Sequence, residues 1–169
     1  MAILPILHYP NPRLHLKAKT VDKFDAELHQ LINDMRETMY ESNGIGLAAT
    51  QVNVQKRLFI ADLAKDGAPS QFKVFINLKI IEKSGEHCGE EGCLSVPGIY
   101  ETVTRASWVK VEYQDEYGNS HTLECDGLLA ICIQHENDHL DGKVFVDYLS
   151  GLKQNYIRKK MKKIFKNEQ

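Results

Sequence analysis

His135, Glu136 and His139 form the densest chemistry in the chain: two imidazoles four residues apart, with a carboxylate beside the first. On a helix that spacing stacks both rings on one face, where they can take adjacent positions on one metal ion. Glu136 then lies toward the ion's open side, where a water would sit. This is the H-E-x-x-H pattern of hydrolytic metalloenzymes. The competing reading is a helix that happens to carry two surface histidines among acidic neighbours. It is weakened by Leu128-Leu129-Ala130-Ile131-Cys132-Ile133, an apolar run directly before the motif. A helix apolar all round over its first two turns is buried in the middle of a protein. Gly127 precedes the run, and Gly142 supplies a glycine stop after it.

Two protein ligands leave such a site incomplete. Downstream of His139 the chain offers Asp141 and Asp147, and Glu168 falls in a basic tail. Upstream, Glu90-Glu91-Gly92-Cys93-Leu94-Ser95-Val96-Pro97-Gly98 sets a cysteine between a glycine and a proline. That segment predicts a shaped loop holding a thiol, and Cys93 is the better third ligand. A thiolate with two imidazoles leaves one position open for water, and by donor geometry alone the ion is zinc.

The elements that must position these groups are partly legible. Phe24, Leu28, Leu31, Ile32, Met35 and Met39 recur at helical spacing, with Asp22 as cap and Ser42-Asn43-Gly44 as the end. Gly44-Ile45-Gly46-Leu47-Ala48-Ala49-Thr50-Gln51 follows, and its two glycines permit close backbone approach. It lacks the third glycine and preceding strand of a dinucleotide fingerprint. From Arg57 to Glu112 the character turns to β, in Leu58-Phe59-Ile60, Val74-Phe75-Ile76, Ile80-Ile81 and Trp108 to Tyr113. Asp115-Glu116-Tyr117-Gly118-Asn119 predicts a hairpin connection. Helix, antiparallel strands, helix and a final helix describe an α+β fold. We expect antiparallel sheets packed around a buried central helix bearing the motif, flanked by N-terminal and C-terminal helices. With no repeat or linker, residues 1–169 read as one domain.

Composition bounds the rest. Apolar residues make up 43% and charged residues 26%, an ordinary globular balance. No run approaches the roughly 18 apolar residues that a membrane span needs. The first residues are apolar but lack a basic leader and include Pro5, which argues against a signal sequence. The expectation is a cytoplasmic protein. In that setting Cys88, Cys93, Cys125 and Cys132 form no disulfides. The net charge of −2 conceals a division: residues 152–169 carry +6 and the remainder −8. A basic tail on an acidic body points to a polyanionic partner for the tail alone.

Three segments together resemble the peptide deformylases: Gly44 to Gln51, then Glu91-Gly92-Cys93-Leu94-Ser95, then Gln134-His135-Glu136-Asn137-Asp138-His139. Each matches its family motif in full and in order, and the resemblance covers nearly the whole chain. The tail resembles the bacterial class with an α-helical C-terminus. The resemblance implies metal ligands Cys93, His135 and His139, with Glu136 as general base and acid. It implies that the Gln51 amide and the Leu94 backbone N–H face the reacting formyl oxygen, and that Gly46 contacts an extended substrate. It further implies Fe(II) as the native metal, with zinc, nickel or cobalt able to substitute. The substrate would be N-formylmethionine on newly made polypeptides, with formate released.

Ile45, Leu128, Ile131 and Cys132 resemble the family's methionine pocket; plain core packing is the alternative, above all for Leu128. Arg105 either pairs with Glu91 to brace the cysteine segment or is solvated at a strand edge. In the tail, Ile157, Met161, Ile164 and Phe165 share a helical face that docks on the body, leaving the basic residues outward. Since deformylases act on emerging chains, ribosomal RNA is the expected partner of that surface. A monomer is the default. Two other functions compete: a zinc metallopeptidase, disfavoured by the upstream ligand, and a metal-stabilised RNA-binding module, disfavoured by the lack of a closed fourth ligand.

Overall fold

The computed structural model describes residues 2–64 and 67–166. The first helix, α1 (Ala26–Glu41), starts at Asp25, whose side chain accepts a hydrogen bond from the Leu28 N–H at 3.0 Å. Asp22, the cap expected from sequence, lies a turn too early. Phe24 therefore stands outside the helix and packs against the core from there.

Five strands form one antiparallel sheet: β1 (Gly46–Ala48), β2 (Leu58–Ala61), β3 (Lys73–Ser84), β6 (Trp108–Gln114) and β7 (Ser120–Asp126), in the order β1-β2-β3-β6-β7. Side chains alternate across a strand, and β2 shows why its run is continuously apolar. Phe59 and Ala61 meet the cluster around the motif helix, whereas Leu58 and Ile60 meet Leu28, Ile32, Met35 and Met39 of α1. Both faces of the sheet are thus covered by helices.

The two apolar segments around Val74 and Ile80 are one long strand, β3, bent in the middle. Its register against β6 shifts between Ile76 and Lys79, where Asn77 adopts a φ of 53°. The Asn77 side chain accepts from the Val21 N–H and donates to the Val21 carbonyl, both at 2.8 Å, tying the irregular point to the chain before α1. The β6–β7 connection is the expected turn, with Asp115 Oδ1 accepting from the Tyr117 and Asn119 N–H groups.

Residues 90–98 are not a free loop. They are the closed end of a second sheet, a hairpin of β4 (His87–Cys93) and β5 (Val96–Arg105) in which Cys93 pairs with Val96. Only Leu94 and Ser95 turn the chain. Pairing with β5 makes a strand of a glycine-rich and acidic segment that has little β propensity of its own.

The motif helix α2 (Gly127–Leu140) runs across the inner face of the large sheet. Its stop is glycine: Gly142 has a φ of 81°, and a β-carbon there would lie 2.5 Å from the His15 carbonyl oxygen. The start of α2 departs from expectation. Leu128 is 56% exposed because the first turn overhangs a cavity, and full burial begins at Ala130.

The last helix, α3 (Gly151–Ile164), is capped by Ser150, which accepts from the Lys153 N–H. Ile157 and Met161 are buried against Val96, Ile99 and Phe145. Phe165 continues that row and stacks on His8 with ring centroids 3.8 Å apart. Ile164 does not join them; it is 55% exposed, since it lies a position off the row of every fourth residue. The observed architecture is the expected α+β arrangement around a central helix.

Candidate metal centre

Three side chains from two elements converge on one point. Cys93 ends β4, and His135 and His139 come from successive turns of α2. Their ligand atoms all lie within 4.8 Å of one another. Cys93 Sγ is 3.4 Å from His139 Nε2. His139 is 1% exposed, and burial holds its pKa well below the ordinary value, so the ring is neutral as a ligand must be.

The orientation of His135 is fixed from behind. Its Nδ1 lies 2.9 Å from Glu91 Oε1. A carboxylate only accepts, so Nδ1 carries the proton and Nε2 is turned to the centre. Glu91 is itself held by Arg105, through Nε to Oε2 at 2.7 Å and Nη2 to Oε1 at 2.9 Å. Of the two roles open to Arg105 in the sequence, the pairing is the one observed, and both partners are 8% exposed. Burial raises the Glu91 carboxyl, but hydrogen bonds from Arg105 and His135 outweigh it and hold the pKa at about 2. The third nitrogen of Arg105 reaches Asp138 Oδ2 at 2.6 Å, which also accepts from the Tyr148 hydroxyl at 2.7 Å.

Glu136 lies on the same helix, 3% exposed, with Oε1 3.6 Å from His135 Nε2. Its Oε2 is buried and lacks a partner among the described residues. Burial is the largest influence on this carboxyl and raises it to about 7, against the opposing pull of His135 and Arg105. A thiol and two imidazoles at one point, backed by a carboxylate, form a donor set that fits a divalent transition metal.

Gln51 approaches from the opposite wall, on the short turn after β1. Its carbonyl accepts from the Ala48 N–H at 2.9 Å, which directs its amide to Ser95 Oγ at 3.1 Å and Cys93 Sγ at 3.4 Å. The N-terminal segment straps both elements from outside: the Leu7 N–H donates to the Gln51 carbonyl and the Tyr9 N–H to the Ser95 carbonyl. The glycine pair before Gln51 has a steric cause. A β-carbon on Gly46 would stand 3.0 Å from Cys132 Sγ and 3.2 Å from Glu136 Cγ and Cδ.

The centre opens into a cavity of about 500 Å³. Ile45, Gly46, Gln51, Cys93, Leu94, Leu128, Ile131, Cys132, His135 and Glu136 all line it, so the fold brings these sequence-identified residues together. His139 lies behind the others and does not reach the cavity wall. Sequence reasoning missed Ser95, Ile99, Tyr100 and the Asp138–Tyr148 contact. The Tyr100 ring covers Gly92, where a β-carbon would come within 2.6 Å of it, a pairing visible only once the hairpin is known.

A buried helix bearing two histidines and a carboxylate, completed by a hairpin cysteine in an α+β fold, defines a hydrolase with a site for a metal ion. The family described as polypeptide deformylase matches residues 3–155, and the chain belongs to it. It is 60% identical over 163 residues to a peptide deformylase of Chromobacterium violaceum, covering 96% of each chain. It is 61% identical over 163 residues to a peptide deformylase of Neisseria meningitidis, again covering 96% of each. A peptide deformylase crystal structure from Legionella pneumophila superposes with a TM-score of 0.91 at 46% identity, covering 99% of this chain and 98% of that one. Another, from Ehrlichia chaffeensis in complex with actinonin, gives 0.93 at 39% identity, covering 98% and 99%. The protein is an enzyme that removes the N-formyl group from newly synthesised polypeptides. No helix among the described residues is long and apolar enough to cross a membrane.

Proposed function

We propose that Cys93, His135 and His139 hold one Fe(II) ion, replaceable by zinc, nickel or cobalt, and that Glu136 moves the protons of deformylation. The observation that carries this reading is the buried Glu136 Oε2, without a hydrogen-bond partner among the described residues, beside the ligand cluster. When bound, the ion would supply a Lewis acid that lowers the pKa of a water toward neutrality. Glu136 takes a proton from the water that adds to the formyl carbon. The Gln51 amide and the Leu94 N–H face the oxygen on which charge develops, and losing one such donor costs on the order of 10²–10³ in rate. Glu136 then gives its proton to the departing amine as the C–N bond breaks, leaving formate and a free N-terminus.

Gly46 presents backbone to an extended peptide, and Ile45, Leu128, Ile131 and Cys132 receive the methionine side chain. The exposure of Leu128 at the cavity mouth supports this role over core packing. Glu136→Ala tests the assignment. Formate release from a formyl-Met peptide should fall by about 10²–10⁴ with metal content retained. Loss of metal together with activity would make Glu136 a ligand instead. Anaerobic purification with metal analysis tests the iron.

The tail carries a second proposal, contact with ribosomal RNA. Lys159, Lys160, Lys162 and Lys163 are exposed on α3 while Ile157 and Met161 hold it to the body. Reversing Lys159, Lys160 and Lys163 to Glu leaves the docked row intact and should abolish ribosome co-sedimentation at low salt. We read residues 1–169 as a single domain, monomeric and cytoplasmic, with residues 152–169 as its basic C-terminal helix; Asn167, Glu168 and Gln169 lie outside the described residues.

A further inference from the structure

We infer that the pocket for the first side chain continues past Ile131 and Leu128 into a second chamber, and that the enzyme deformylates peptides whose first side chain is apolar and longer than methionine. The inference rests on the methionine pocket proposed above. Two rows of side chains lead outward from the metal centre. Along β4, residues two apart share a face, so Cys93, Glu91, Gly89 and His87 look the same way. Along α2, His135, Ile131 and Leu128 follow one another at helical spacing. Two residues of strand advance about 6.6 Å and one turn of helix about 5.4 Å, so the rows keep pace as walls of one channel.

The inner part of that channel is the cavity of the metal centre. The outer part is a chamber of about 320 Å³ lined by His87, Gly89, Ser107, Gly127, Leu128 and Ile131. Glu90, Glu91, Leu128 and Ile131 line both. Passage turns on Gly89. It sits on the channel side of β4 and contributes no side chain. Any other residue would place a β-carbon 2.6 Å from His87 Nε2, in the space the imidazole now covers. His87 is exposed, so its ring is the movable end of a surface side chain. Leu128 on the opposite wall is 56% exposed. The walls supply apolar contact to Leu128 and Ile131, with the His87 ring and the Ser107 hydroxyl at the outer rim.

The test compares kcat/KM for two N-formyl tripeptides that differ only in the first residue. One begins with norleucine, the shape of methionine, and the other with 2-aminooctanoic acid, two methylenes longer. Each methylene that gains a buried place adds up to about fourfold. The wild-type enzyme should use the longer substrate at least as well as the shorter. Gly89→Ile, whose backbone lies outside the left-handed region, fills the passage and should lower the long-to-short ratio about tenfold. Cys88→Ser, on the other face of β4, should leave the ratio where it is. A wild-type ratio below about one-tenth, or a ratio that Gly89→Ile does not move, would overturn the inference while leaving the methionine pocket standing. If neither peptide is deformylated, the pocket assignment falls and the extension with it.

Discussion

Glu91 accepts two hydrogen bonds from Arg105 and one from His135, so a single buried carboxylate joins an arginine at the end of β5 to a metal-site imidazole on α2.

Removing Arg105 leaves Glu91 charged and buried without its partner. Arg105→Leu is expected to cost about 3–5 kcal/mol in urea unfolding. It should also weaken metal affinity about 10–100-fold in a chelator competition, because His135 loses its fixed orientation. Arg105→Lys should recover little of either, since an ammonium cannot reproduce the two-pronged pairing.

Gly46→Ala presses a methyl group onto Cys132 and Glu136 across distances of 3.0 and 3.2 Å. The shift needed is a few tenths of an ångström, enough to misplace the carboxylate. We expect kcat/KM to fall roughly 10–100-fold with metal content unchanged, read by formate release and metal analysis.

Asp62 gives a pH dependence of stability. Burial alone would raise its carboxyl, but hydrogen bonds from the Tyr40 and Ser70 hydroxyls and the Ala64 and Gln71 N–H groups bring it from 3.8 down to about 2. A lowered carboxyl contributes stability that is fully present above its unfolded value and is lost as pH falls through the folded one. The advantage of the wild type over Asp62→Asn should therefore be on the order of 1 kcal/mol at neutrality and shrink between about pH 4 and about pH 2. Urea midpoints measured across that range provide the check.

Met161→Ala empties a fully buried position under α3 and should lower stability by roughly 2–4 kcal/mol, seen as a drop in Tm. Lys162→Ala, on the exposed side, should stay within about 0.5 kcal/mol.

The parts of this architecture that were legible in the sequence are those whose pattern is local. The motif on α2 and the apolar stripe of α1 repeat at helical spacing, and the β6–β7 turn advertises itself through Asp115, Gly118 and Asn119. The β4–β5 hairpin was hidden because its residues are wrong for a strand taken alone. Gly89, Glu90, Glu91 and Gly92 are held there by the pairing with β5, and the charge of Glu91 is tolerated because Arg105, fourteen residues on, closes over it. Leu128 stood open to two readings for the opposite reason: an apolar residue beside a buried run normally continues it, and here it borders the cavity. The Asp25 cap and the outward Ile164 differ from expectation by a few positions along a helix, which periodicity alone does not resolve.

The backbone strap from Leu7 and Tyr9 to Gln51 and Ser95 has a consequence in time. It is written near the start of the chain, but His8 between them is stacked by Phe165, which follows the last turn of α3. A ribosome therefore delivers the strap first, the α2 helix after it and the ring that stacks on the strap after both. A chain that has emerged only through α2 already holds Cys93, His135 and His139 but not the ring behind the strap, so the wall carrying Gln51 gains its outer brace only once α3 has been made.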